Sequence, residues 1–167
     1  MINFMKMIVV AIGVIVTLAT TSPAYAQRTT GNGTASVKIL RSITVTKSTD
    51  LYFGKIVPST AASTVTIAES GARTCGSGLS CYDTATSGSF VVNGTSGEVV
   101  SVALDSNTTT LSDGGSNAMT VNLATSTTVL PLTGGTGNFK VGGTLNVGAN
   151  QKDGSYTGQY SVSVNYQ

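Results

Sequence analysis

From Tyr156 to the end of the chain, large side chains fall on even numbers and small polar ones on most odd numbers. Tyr156, Tyr160, Val162, Val164 and Tyr166 form one row, broken only at Gly158, while Ser161, Ser163, Asn165 and Gln167 form the other. A helix would wind such a row around its circumference. A strand keeps it on one face, because successive side chains point to opposite sides. The aromatic and β-branched content suits a pleated, half-buried surface. The expectation is a β-strand over this stretch with one wet and one apolar face. Such a strand is either locked inside its own sheet or offers an edge to which another chain can pair.

The same period of two recurs along the chain, punctuated by Gly, Asn and Asp. A polar arm, Gln27 to Gly33, precedes Ala35, Val37 and Ile39, which alternate with Ser36 and Lys38. Arg41 interrupts that face before Ile43 and Val45 resume it, so two short strands or one long strand with a charged break fit. Leu51-Tyr52-Phe53-Gly54 and Ile56-Val57 follow, with Pro58 ending or edging a strand. Val65 and Ile67 make another short strand. Phe90 and Val92 lie before Asn93-Gly94, a turn pair, and Val100, Val102 and Leu104 lie beyond it, which reads as a hairpin. Asp113-Gly114-Gly115 is a further turn, followed by Met119, Val121 and Leu123 on one face. Phe139, Val141, Leu145 and Val147 form a strand bent at Gly142-Gly143. No stretch after residue 26 has a capped helical period. The fold class expected is all-β, a single Greek-key sandwich of immunoglobulin type.

The N-terminus reads as an export signal. Lys6 precedes an apolar run from Met7 to Ala19, and Ser22-Pro23-Ala24-Tyr25-Ala26 ends in a small-x-small cleavage site. Residues 1–26 are therefore set apart as a signal peptide, 27–41 as an arm, and 42–167 as the sandwich domain. The formal charge is +2 with 10% charged residues, too little basic character for a nucleic-acid or anionic-membrane partner. In an oxidising compartment, Cys75 and Cys81, separated by a loop containing Gly76 and Gly78, are expected to form a disulfide.

Chemistry is poorly supplied. The chain has no histidine, so no Ser-His or Cys-His nucleophile pair forms. Its acidic residues are scattered, and no spacing matches a calcium loop around Asp105, Asn107 and Asp113. No catalytic residue, cofactor, metal or small-molecule substrate is assigned. Asn32, Asn93 and Asn107 begin Asn-x-Thr triplets that turn chemistry explains. Leu130-Pro131-Leu132-Thr133-Gly134 spells a sortase signal, but it lacks the apolar span and basic tail and reads as a chance match.

Three features together, Gly154 fourteenth from the end, the alternating strand and the penultimate Tyr166, resemble the C-terminus of bacterial chaperone–usher pilin subunits. The run from Ala35 through Leu-x-Phe-Gly at Leu51–Gly54 resembles the spore-coat-U-like branch of those subunits. It also resembles a family of secreted bacterial domains of unknown function. Where pilin-type subunits often carry a cysteine near the first strand, this chain has Arg41 and Ser42. The resemblance implies an incomplete sandwich completed by a donor strand, and a structural subunit of a pilus or fimbria. It implies that Ala35, Val37 and Ile39 are the donor residues. Gly154, Tyr156, Tyr160, Val162, Val164 and Tyr166 would line the groove and be held by a periplasmic chaperone. Partners would be copies of the chain or related subunits, the chaperone and an outer-membrane usher. The route would run through the periplasm to the cell surface. The rival expectation is a self-contained secreted module for adhesion to carbohydrate or matrix, with Tyr82 as its candidate stacking residue.

Overall fold

The computed structural model of the chain describes residues 26–167; the expected signal peptide lies outside them except for Ala26. Lys38–Gln167 forms one compact unit. In the preceding stretch, residues 26–37, every described residue is exposed and none is in a strand.

The compact unit is all-β. Its strands are β1 (Thr44–Thr49), β2 (Lys55–Val57), β3 (Ser63–Ile67), β4 (Arg73–Cys75), β5 (Ser80–Tyr82), β6 (Gly88–Asn93), β7 (Val99–Leu104), β8 (Thr108–Ser112), β9 (Ala118–Thr125), β10 (Val129–Pro131), β11 (Thr136–Val147) and β12 (Val162–Tyr166). All strand pairings are antiparallel. One sheet runs β1-β6-β11-β3-β4, with β9 on β11 and β8 on β9; a second runs β10-β7-β12; β2 and β5 form a small ribbon. The two larger sheets enclose one apolar core in the manner of an immunoglobulin-like sandwich.

β11 is its spine, and its sequence explains why. Phe139, Val141, Leu145 and Val147 alternate toward the core, each worth about 1.5–3 kcal/mol of burial. Val141 pairs with Gly88 on one edge and Thr125 on the other, while Gly143 pairs with Ile67 and Leu123. One edge of β11 therefore passes from β6 to β3 at Gly142-Gly143, where the bend was expected. A Cβ on Gly142 would run into the carbonyl of Ile67, and one on Gly143 would lie 2.9 Å from Val121 Cγ1. Only glycine lets the backbones approach so closely.

The Cys75–Cys81 disulfide is formed, with Cα atoms 6.4 Å apart, and ties β4 to the small ribbon. Arg73 reinforces the tie, donating from Nη1 to the carbonyls of Phe53 (3.1 Å) and Tyr82 (2.9 Å). Leu130 and Leu132, the apolar residues of the sortase-like stretch, are core residues.

Three expectations need correction. Phe90 to Leu104 is not a hairpin: β6 and β7 lie in different sheets, and Asn93-Gly94 carries the chain from one to the other. The glycine fits for packing rather than for a tight turn, since a Cβ there would come 2.6 Å from Tyr166 Oη and 2.7 Å from Leu132 Cδ1. Ala35 to Ile39 forms no strand; the side chains that would alternate have no sheet to face. The C-terminal strand is also shorter than its sequence pattern. Thr157 bridges Ser112 of β8, and the chain reaches β7 only at Val162. Gly158 is the crossing point, its backbone lying too close to the carbonyl of Thr110 for any side chain.

Candidate functional site

Two of the strands paired along one edge only are β1 and β12; β4, β8 and β10 share that condition. β1 pairs with β6, from Thr44 opposite Asn93 to Thr49 opposite Ser89. β12 pairs with β7, from Val162 opposite Leu104 to Tyr166 opposite Val100. Among the described residues neither has a strand partner on its other edge, and β1 and β12 do not pair with each other. Each leaves a row of main-chain N–H and C=O groups unpaired with any strand.

Between them lies a seam floored by apolar side chains. Tyr160, Val162, Val164 and Tyr166 are half-buried and pack on the core, and Ile43 joins them from the β1 side. Ser161, Ser163, Asn165 and Gln167 face water, so the period of two acts as the sequence implies. β1 itself is exposed at every position, Val45 included at 38%. A strand bonded to its neighbour yet uncovered on both faces is unusual for a sandwich, because its apolar side gains little burial.

The two ends of the seam differ. At one end Tyr166 is fully engaged: its hydroxyl donates to the carbonyl of Arg41 (2.6 Å) and accepts from the amide of Thr95 (2.7 Å). The Arg41 amide donates in turn to Thr95 Oγ1 (2.6 Å), and Lys38 forms an ion pair with Glu98. Residues 38–41 are therefore fastened at this end, and Ile39 among them is 83% exposed. At the other end the Tyr160 ring stands edge-on to Phe90, with centroids 6.1 Å apart, and Phe90 stacks on Phe139 at 5.1 Å. The Tyr160 hydroxyl rests against Gly88, where a Cβ would occupy its place. It is buried without a hydrogen-bond partner. Burial, aided by the negative charge of Asp50, raises its pKa above the ordinary phenol value.

The residues singled out in the sequence thus separate. Tyr160, Val162, Val164 and Tyr166 share the seam. Gly154 does not, and Tyr156 closes a local turn, donating to the Lys152 carbonyl (2.7 Å) and accepting from Gln151 Nε2 (3.0 Å). Val37 and Ile39 are both 83% exposed, and Ala35 is exposed as well. Tyr82, on the ribbon beside the disulfide, is 58% exposed. Sequence reasoning missed Gly88, Gly94 and Thr95. A glycine opening an alternating strand, as Gly88 does before Phe90 and Val92, is the one available sign of a close approach.

The family described as Domain of unknown function (DUF4402) matches residues 43–166, a span that holds both edges of the seam and leaves out the arm. No curated protein and no solved structure matches the chain.

Proposed function

The chain belongs to the DUF4402 family, and within it we propose a structural subunit of a secreted surface fibre, assembled by donor-strand complementation. The observation that carries this reading is the seam: two strand edges with no strand partner above a half-buried apolar row, in a chain whose arm holds unpaired, alternating Ala35, Val37 and Ile39. A strand laid into the seam would gain main-chain bonds of about 0.5–1.5 kcal/mol each. It would also gain about 1.5–3 kcal/mol for each larger side chain buried. An arm whose base is fastened at the Tyr166 end and whose tip enters a second copy makes a heterologous contact, and repetition of that contact gives an open filament. The same seam suits a periplasmic chaperone before assembly, and an outer-membrane usher would complete the route to the surface.

A second reading has its own observation. Tyr52, Val57 and Tyr82 are exposed at 44%, 53% and 58%, grouped on and beside the β2–β5 ribbon, and favour a self-contained module that stacks on sugar or matrix.

Thermal melting separates the two. The domain beginning at Ser42 should be marginal alone and should melt higher as a peptide spanning Gly33 to Thr44 is added, the gain growing with peptide concentration. A peptide carrying Val37→Asp and Ile39→Asp should have no effect. A domain that melts like the full exported chain and ignores both peptides would leave the self-contained module standing.

A further inference from the structure

We infer that residues 38–41 and the connection from Gly94 to Glu98 form a clamp that keeps the arm out of its own seam, leaving the seam to the arm of a second copy. The inference rests on the donor-strand reading. If that reading holds, something must oppose self-filling. An arm tethered beside its own groove meets it at an effective concentration on the order of millimolar, which a second subunit in dilute solution does not match. Yet no strand of the chain's own arm pairs in the seam, and Ala35 and Val37 are exposed.

Both sides of the clamp belong to the compact unit Lys38–Gln167, and one of them is a braced platform. Gly94 donates its amide to the Gly135 carbonyl (2.9 Å), Gly97 donates to the Leu132 carbonyl (2.9 Å), and Leu132 donates back to the Glu98 carbonyl (2.8 Å). Leu132 is a core residue, so the connection cannot shift without disturbing the interior. Two side chains of this platform hold the base of the arm. Thr95 Oγ1 accepts from the Arg41 amide (2.6 Å), beside the Tyr166 hydroxyl that donates to the Arg41 carbonyl (2.6 Å). The Glu98 carboxylate pairs with Lys38; its side chain is only 21% exposed, so solvent screens it less than an ordinary surface ion pair.

The places of these anchors set the direction in which the chain leaves. β12 ends with Tyr166 opposite Val100, and the Gln167 amide donates to the Val99 carbonyl (3.1 Å). Glu98 therefore lies past the end of β12. Followed backward from β1, the chain meets Tyr166 at Arg41 and Glu98 at Lys38, a course across the end of the sandwich and not along the seam. To enter its own seam the arm would have to reverse at residues 40–42 and give up both anchors. Ala35 and Val37 precede the clamp and can enter a second copy, whereas Ile39 lies between the anchors and stays with its own subunit.

The test uses the exported chain, Gln27 to Gln167, and a charge reversal at the anchor. Two quantities are measured: affinity for a fluorescent peptide spanning Gln27 to Val37, and the fraction of multimers in sedimentation velocity. Glu98→Lys sets like charges against each other and should release the base of the arm, which then fills its own seam. Peptide affinity should fall about 3- to 10-fold, and multimers should give way to monomers. Adding Lys38→Glu restores the pair with its signs exchanged and should return both quantities to those of the natural chain. Adding Ala35→Asp and Val37→Asp to Glu98→Lys instead should restore peptide affinity, because the released arm no longer competes. Unchanged affinity and assembly in Glu98→Lys would overturn the inference and leave the donor-strand reading intact. A fall that persists with the disabled arm, or that Lys38→Glu does not repair, would also overturn it, since Glu98 would then act through the fold and not through the arm. A natural chain that neither binds the peptide nor forms multimers would remove the donor-strand reading and this inference with it.

Discussion

β11 and β12 carry the same alternation of apolar and polar residues, and the fold treats them differently. In β11 the apolar row is buried, with Phe139 and Val141 at 1% and 0% exposure, and strands pair with it on both edges. In β12 the equivalent row is only half-buried, and one edge has no strand partner. A period of two reports which face a strand buries. Depth depends on how many neighbours the strand has, which is a property of the whole sheet. A strand with a core-quality face and edge-quality cover is what the proposed donor-strand assembly requires.

The sharpest way to break this comparison is to place one charge in each strand. Val141→Asp puts a carboxylate where no water reaches, at a penalty of several kcal/mol, against a total stability of about 5–15 kcal/mol for a domain of this kind. Circular dichroism of the purified chain should show little or no folded protein. Val164→Asp can turn its carboxylate toward the open edge, so the chain should fold with a reduced melting temperature and fail to bind the Gly33–Thr44 peptide. Equal damage from the two substitutions would mean that the seam is as closed as the core.

Truncation gives a smaller contrast. Phe139→Ala removes a ring stacked on Phe90 and should cost about 3–5 kcal/mol. Val162→Ala removes two half-covered methyl groups and should cost about 1 kcal/mol. Urea unfolding of both variants measures the ratio, and peptide bound in the seam should raise the cost at Val162 while leaving Phe139 unchanged. Outside both strands, Cys75→Ser with Cys81→Ser should lower stability by about 2 kcal/mol through loop closure. The loss should fall on the β2–β5 ribbon, because Arg73 still holds the Phe53 and Tyr82 carbonyls. Loss of the whole fold in that variant would assign the disulfide a larger part than closing its own loop.

The face of each strand was legible in the sequence because pleating alone determines it. That is why Met119, Val121 and Leu123 share a face, and why Val162 and Val164 do. Partnership was not legible. Asn93-Gly94 has the chemistry of a hairpin turn, but Gly94 is there to admit the Tyr166 ring and Leu132, contacts from residues far along the chain. Ala35 to Ile39 has the alternation of a strand, yet alternation supplies no hydrogen-bond partner, and the segment forms none here. The disulfide was legible for the opposite reason, since its two residues are close in sequence and the loop between them is short. Local rules succeeded wherever the deciding contact was local.

The mildest prediction asks how closed the Tyr160 end of the seam is. Burial first, and the charge of Asp50 second, raise the pKa of its phenol above the ordinary value of 10.0. A group whose pKa is higher in the folded state contributes stability that is complete below its unfolded pKa. That contribution is lost as pH rises through the folded value, because the unfolded chain gives up the proton first. Melting temperature should therefore fall between about pH 9 and about pH 11, where free phenols ionise, and the fall should be smaller in Tyr160→Phe. The difference should be modest, because the residue is only half-buried. With the Gly33–Thr44 peptide in place the half-exposed ring is covered further, which disfavours the phenolate more. The gap between tyrosine and phenylalanine chains should then widen at high pH. A gap that stays the same with and without peptide would mean that the incoming strand does not reach Tyr160, and that the two ends of the seam are less different than their hydrogen bonds suggest.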